Sequence, residues 1–247
     1  MKHLKILPFI LLAVSAISCG GDDEQTFVMP QQTFLVSKNT VIVKSSSEVY
    51  SSSDYAYDGA NQLTSELTLF DSKTYSRNTS GKIYKITTLD SGSTIETVFT
   101  YQPDGKLASE TLSYNGTTSE RREYSYFSNR YEEKVFNSNN ENVIRYEYYY
   151  TADGKNIGEI KQFSGNGDAY TRTTIEYDNR MGVNTLAPFS QLPEPFYNAN
   201  NAVIRITRNP DEAIIETRET QFTFNELGYP VKADDGTFIR NLEYIAK

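Results

Sequence analysis

Along most of the chain, apolar and polar residues alternate with a period of two. Ile95, Thr97, Phe99 and Tyr101 share one parity, and Ile144, Tyr146, Tyr148 and Tyr150 form a second such row with Arg145, Glu147 and Tyr149 between them. Successive side chains of a strand point to opposite faces, so this pattern predicts strands with one covered face and one wet face. No stretch shows sustained helical spacing with caps, which confines helix to a turn or two between residues 180 and 201.

A recurring unit of about 24 residues punctuates the alternation. It consists of an aromatic residue, a polar turn and an apolar residue six positions after the aromatic. The clearest copy is Tyr101-Gln-Pro-Asp-Gly-Lys-Leu107; others begin at Tyr57, Arg77, Tyr150, Tyr177 and Phe224, with a shortened copy from Tyr126 to Tyr131. The gap between Tyr177 and Phe224 spans nearly two periods, so one copy is missing or replaced near residue 200. A second set of breakers lies between these turns, among them Asp90-Ser-Gly-Ser93, Asn115-Gly-Thr117 and Ser164-Gly-Asn-Gly-Asp168. Gly and Asn supply the positive φ that tight hairpin turns require. Each unit is therefore a β-hairpin, and the predicted fold is an all-β antiparallel meander of about 12 to 16 strands. A sheet of that size becomes strongly curved or closes, wholly or partly, into a barrel. The segment Ser119–Tyr126 carries charge on both faces, whereas a lipid-facing strand needs an apolar outward row. The sheet is expected to stand in water.

Composition narrows the function. The 247 residues include 32 Asp and Glu against 24 Lys and Arg, which disfavours nucleic acid as a partner. Tyr and Phe number 19 and 13 with no Trp, in keeping with a strand-rich chain. His3 and Cys19 are the only histidine and cysteine.

Both fall in an N-terminal segment that reads as an address. Lys2, His3 and Lys5 precede an apolar run from Ile6 to Ile17, too short to span a membrane as a mature helix. Ala16-Ile-Ser-Cys19 resembles the lipobox at which bacterial lipoproteins are cleaved and acylated, and the tract Gly20, Gly21, Asp22, Asp23 and Glu24 looks like the surface-export signal of Bacteroidetes-type lipoproteins. The resemblance implies a signal peptide over 1–18, a lipid on Cys19, a tether over 19–32 and a single all-β domain over 33–247 with a loop insertion at about 181–201. It implies anchoring in the outer membrane with exposure at the cell surface. Loss of Lys2 and Lys5 moves the formal charge from −8 to −10.

The turns Tyr101–Leu107 and Phe224–Pro230 look like the YD-type repeats of bacterial surface and toxin-shell proteins. From about residue 50 to the end, the chain resembles a family of Bacteroidetes-type lipoproteins of unknown function with a porin-like fold of meandering strands. That resemblance implies architecture and brings no catalytic residues.

The residues themselves offer little chemistry. Once the signal segment is removed no histidine is left and the only thiol is acylated, so Ser-His-Asp, Cys-His and His or Cys zinc sites are all excluded. No cofactor or metal is expected. Glu120, Glu123, Glu132, Glu133, Glu147 and Glu159 alternate with Lys and Arg and read as cross-strand pairs on a wet face rather than as glycosidase carboxylates. Candidate ligand contacts are Tyr149, set on the face opposite Tyr148 and Tyr150, and Phe189, Phe196 and Tyr197 in the proline-punctuated insertion. That insertion is expected either to plug the sheet's open end or to line a ligand cavity within it. The function expected is binding or display of glycan or extracellular protein ligands without catalysis. The alternatives are a structural or adhesin-like envelope component and a carboxylate-based polysaccharide hydrolase.

Overall fold

The computed structural model describes residues 34–246; the signal segment, Cys19, Gly20 to Glu24 and the tether lie outside the described residues. Seventeen strands form one antiparallel sheet. They are β1 (Phe34–Val43), β2 (Val49–Tyr57), β3 (Leu63–Thr68), β4 (Asp71–Arg77), β5 (Ile83–Asp90), β6 (Ser93–Tyr101), β7 (Leu107–Tyr114), β8 (Thr117–Tyr126) and β9 (Arg130–Asn137). The rest are β10 (Asn142–Tyr150), β11 (Ile157–Ser164), β12 (Ala169–Met181), β13 (Asn200–Arg208), β14 (Ile214–Glu219), β15 (Gln221–Phe224), β16 (Pro230–Asp234) and β17 (Phe238–Ala246).

Neighbours in sequence are neighbours in the sheet, and β17 returns to β1 in a register running from Phe34 opposite Ala246 to Val43 opposite Phe238. The sheet is thus a nearly closed barrel with one seam. That seam lies at β14 and β15, which are separated only by Thr220. β14 pairs with β13, placing Glu219 opposite Ile204, and β15 pairs with β16, placing Gln221 opposite Asp234. The two are halves of a single crossing that hands the sheet from one neighbour to the other, so the seventeen strands make sixteen crossings. The strand count exceeds the expected 12 to 16 because of this break and because β1 precedes the first recognisable repeat.

Every turn of the sequence repeat lies at one end of the barrel. Asn61, Gly81, Gly105, Gly154 and Gly228 take φ between 62° and 88° there, which explains why Gly or Asn recurs at that place. The residue that closes the repeat turns inward: Leu63, Ile83, Leu107 and, in the shortened copy, Tyr131 are buried, and so is Asn156, the polar residue at that place after Tyr150, with Ile157 next to it. The repeat aromatic has a second task. Tyr57 donates its hydroxyl to the Val36 carbonyl (2.7 Å), Tyr126 to Leu107 (3.0 Å) and Tyr177 to Ile157 (2.8 Å), while Tyr101 donates to Ile83. Each hydroxyl so ties one hairpin to the one before. Arg77, the non-aromatic copy, reaches the same kind of partner, its Nη2 donating to the Leu63 carbonyl at 3.3 Å.

The interior is filled by two clusters. One gathers Ile83, Phe99, Leu107, Tyr124, Tyr131 and Ile157 with Tyr148, Tyr150 and Phe196 against them; the other gathers Val36, Val183, Leu186, Tyr229 and Leu242 with Tyr55 and Phe189. Tyr131 and Tyr148, opposite one another on β9 and β10, stack with centroids 4.4 Å apart. The outer face is a ladder of ion pairs: Lys38–Asp54 (3.6 Å), Lys85–Glu96 (2.9 Å), Lys134–Glu132 (3.4 Å), Arg145–Glu132 (3.3 Å) and Arg172–Glu159 (2.7 Å). Exposed Leu67, Leu89 and Val98 interrupt this ladder, and each ion pair in it would lose its solvation against hydrocarbon.

Candidate functional site in the barrel lumen

Residues 182–199 take the place of a hairpin turn between β12 and β13 and fold across the end that the repeat turns surround. The segment holds two short 3-10 turns, Val183–Thr185 and Phe189–Gln191. Its apolar side chains go inward, as five large apolar residues in one loop require. Val183 and Leu186 are buried, Phe189 meets Tyr55 edge-on at 6.1 Å, and the Phe196 ring lies 5.0 Å from Tyr150.

Polar clamps hold the segment to the wall. The Val36 amide donates to the Ala187 carbonyl at 3.0 Å. Gln191 Oε1 accepts from the Leu63 amide (2.7 Å) and from Arg77 (3.0 Å), and its Nε2 donates to the Asn61 carbonyl (2.8 Å). Asn198 Oδ1 accepts from the Ile157 amide (2.8 Å) and lies 3.1 Å from the Tyr177 hydroxyl, whose one proton it shares with the Ile157 carbonyl. Asn201 accepts from the Val183 amide (3.0 Å) and donates to Asp178 (3.1 Å). The insertion is a plug.

Two cavities flank it. The one on the inner side has a volume of about 520 Å³, within the range of small-molecule sites. Its walls run from Asn184, Asn198, Asn200 and Asn201 of the plug and its hinge to Val41, Tyr50, Asp235 and Phe238 near the turns of the opposite end. Tyr177, Phe222, Arg205, Arg218 and Arg240 complete it. This cavity thus runs from the plug toward the opposite end of the barrel. Burial pushes the Tyr177 phenol up to about 12 even though Arg205 pulls the other way, so this hydroxyl stays protonated as a donor at neutral pH. The other cavity, about 600 Å³, lies between the plug and the repeat turns and is lined by Arg77, Lys82, Tyr101, Lys106, Glu194, Phe196 and Tyr197.

Deeper in the barrel a charged knot crosses β7, β8 and β9. Arg122 holds Glu120 at 2.7 Å, Glu133 at 3.1 Å and Glu110 at 3.8 Å; the Tyr148 hydroxyl donates to Glu133 (2.7 Å) and the Tyr124 hydroxyl to Glu110 (3.3 Å). Burial lifts the Glu110 carboxyl against the pull of Arg122. Glu194 projects from the plug toward this knot. Enclosure by the barrel wall, with Glu110 and Glu133 adding repulsion, raises its carboxyl to about 7. Its side chain is nevertheless exposed toward the adjoining cavity, so water opposes the rise and about 7 is its upper bound.

The sequence-predicted contacts separate in the structure. Phe189 packs within the barrel, Phe196 packs against the interior cluster and also lines the second cavity, and Tyr197 lines that cavity beside it, so the insertion both fills the barrel end and forms a cavity wall. Tyr149 is on the outer face as expected, donating to Glu147 at 2.7 Å with Lys161 4.7 Å from its ring, and is not near either cavity. Four of the six glutamates pair on the wet face as expected. Glu120 and Glu133 do not: they share the inward parity of Tyr124, Tyr131 and Val135 and face Arg122 inside. Arg205, Arg218 and Arg240 also line the inner cavity; nothing local in the sequence marks them, and only strand parity combined with the cross-strand register does.

No family model and no curated protein matches the chain. Among solved structures it is similar to a porin-like protein from Bacteroides uniformis, at 14% identity and a TM-score of 0.57, over 86% of this chain and 98% of that one. It is also similar to a porin-like protein from Bacteroides vulgatus, at 11% identity and a TM-score of 0.50, over 85% and 99% of the two chains. These likenesses show a shared barrel fold.

Proposed function

We propose that this chain is an exported lipoprotein, anchored through Cys19 to the outer membrane and exposed at the cell surface, whose barrel stands in water and binds a saccharide within its lumen without transforming it. The carrying observation is the cavity of about 520 Å³, closed by the plug and lined by Tyr50, Tyr177, Phe222 and Phe238 together with four asparagines and three arginines. Aromatic faces and planar amide or guanidinium groups in one cleft suit a ligand with apolar ring faces and many hydroxyls. The charged outer ladder supports a barrel in water rather than in lipid, and the likeness to porin-like proteins supports an envelope setting.

A second reading, the carboxylate hydrolase, draws on Glu110, Glu133 and Glu194. Arg122 and two tyrosine hydroxyls already engage the first two, which fits a structural knot better than a reacting pair. The described residues, 34–246, fall in one compact unit, so the chain from residue 26 onward is a suitable form for solution work. Its melting temperature is to be measured against panels of oligosaccharides and extracellular proteins. A saturable rise with a saccharide, without turnover, supports the proposal. A rise only with proteins, or release of sugar products, overturns it. In cells, Cys19→Ala is expected to free a folded domain from the membrane fraction; retention there would refute the anchor.

A further inference from the structure

We infer that the lumen selects an anionic saccharide, one whose carboxylate or sulfate is gripped by Arg205, Arg218 and Arg240. The inference rests on the lumen-binding proposal above and adds the ligand's charge. All three arginines line the same cavity, one on each of β13, β14 and β17. Arg205 and Arg218 stand directly opposite one another across β13 and β14. Like charges placed so destabilise a sheet. Arg218 is partly offset by Glu216 at 2.8 Å and Asp235 at 3.8 Å. Arg205 and Arg240 make no ion pair or side-chain hydrogen bond to any other described residue, and both remain in contact with water.

Two further facts point the same way. The chain carries a net charge of −8, yet this cavity is lined by three arginines and one carboxylate, Asp235, with the glutamates of the Arg122 knot lying outside its lining. Strand β13 also inverts the ordinary rule: Ile204 and Ile206 have the outward parity and Arg205 the inward one. An apolar residue at 205 would pack beside buried Ile175, its partner on β12, so the fold gains nothing from arginine there. A bound oxyanion would turn the Arg205–Arg218 repulsion into a shared attraction. The planar guanidinium fork matches a carboxylate or sulfate through paired N–H donors.

The test uses the chain from residue 26 onward, which contains the whole compact unit, with calorimetric titration of three probes: digalacturonate, an O-sulfated disaccharide and an uncharged disaccharide. Saturable binding of one or both anionic probes is expected, weakening with added salt, with the uncharged probe bound at least about tenfold more weakly. Preference for digalacturonate or for the sulfated probe identifies the oxyanion. Arg205→Gln and Arg240→Gln are each expected to weaken anion binding by about tenfold or more. Arg205→Gln should leave the melting temperature unchanged or raised, because it removes the repulsion from Arg218; that separates a lost site from a lost fold. Equal binding of charged and uncharged probes, unaffected by either variant, overturns the charge inference and leaves the lumen proposal standing. Failure of all three probes overturns both.

Discussion

Gln191 offers the sharpest test of how the plug is held. Replacing it with alanine strips the Leu63 amide of its 2.7 Å acceptor and the Asn61 carbonyl of its 2.8 Å donor, while Arg77 keeps the Gly81 carbonyl at 2.9 Å. Leu63 is 1% exposed, so its amide loses its partner beneath a sealed side chain. A buried donor left unpaired costs about 1–3 kcal/mol, and a lost ordinary hydrogen bond about 0.5–1.5 kcal/mol. Water in the adjoining cavity can replace part of this, which sets the expected loss at about 2 kcal/mol. For a domain of this size that lowers Tm by roughly 4–8 °C. If the plug lifts locally first, the same energy speeds hydrogen exchange at the Leu63 amide by roughly thirtyfold. Gln191→Glu keeps the acceptor for the Leu63 amide and gains an ion pair with Arg77 but sets a carboxylate oxygen against the Asn61 carbonyl, so it should retain part of the protection. The assay is amide exchange at Leu63 alongside thermal unfolding. Unchanged exchange in Gln191→Ala, with Tm within about 2 °C of wild type, would show that apolar packing alone seats the plug and that the clamp is incidental.

Three further outcomes are expected. Because partial enclosure and the charges of Glu110 and Glu133 raise the Glu194 carboxyl in the fold above its unfolded 4.5, to about 7 at most for an exposed side chain, the folded state holds a proton that the unfolded state has released in that window. Stability therefore falls as pH rises from about 4.5 to about 7 and is constant above, as far as this group is concerned; Glu194→Gln should flatten that slope, and an identical Tm-versus-pH curve for the variant would refute the assignment. Tyr126→Phe removes the hydroxyl that reaches the Leu107 carbonyl at 3.0 Å and should lower stability by about 1 kcal/mol in denaturant titration, whereas no change would mean that water replaces it. Arg77→Tyr restores the repeat's aromatic and should preserve the tie to Leu63 while giving up the bond to Gln191, so its Leu63 exchange should fall between those of wild type and Gln191→Ala.

Much of this architecture is legible in the sequence because its signals are local. Turn chemistry at Gly81, Gly105 and Gly154 and the period-two rows of β6 and β10 follow from backbone stereochemistry, which acts over a few residues. The double spacing before Phe224 marks the plug, and its apolar content requires it to be covered. The lumen is less legible, since facing depends on register across the sheet. Ile204 and Ile206 advertise an inward face they do not occupy, and Glu133 looks like one more surface glutamate until Tyr131 and Val135 fix its parity. The arginine triad joins residues 35 positions apart in sequence, from Arg205 to Arg240, and only barrel closure brings them to one cavity. Arg77 departs from the aromatic pattern in type, yet its long donor arm performs the tyrosine's task.

The return of β17 to β1 has a mechanical consequence. The first described residue, Phe34, begins a strand paired along both sides, with β17 on one and β2 on the other. A pull transmitted through the chain before it acts along β1, while the ladder bonds lie across it. Those bonds are strained together, in shear, rather than peeled apart singly as at a free edge. Under the proposed N-terminal anchor, the load would enter at a strand paired on both flanks rather than at the handover around Thr220.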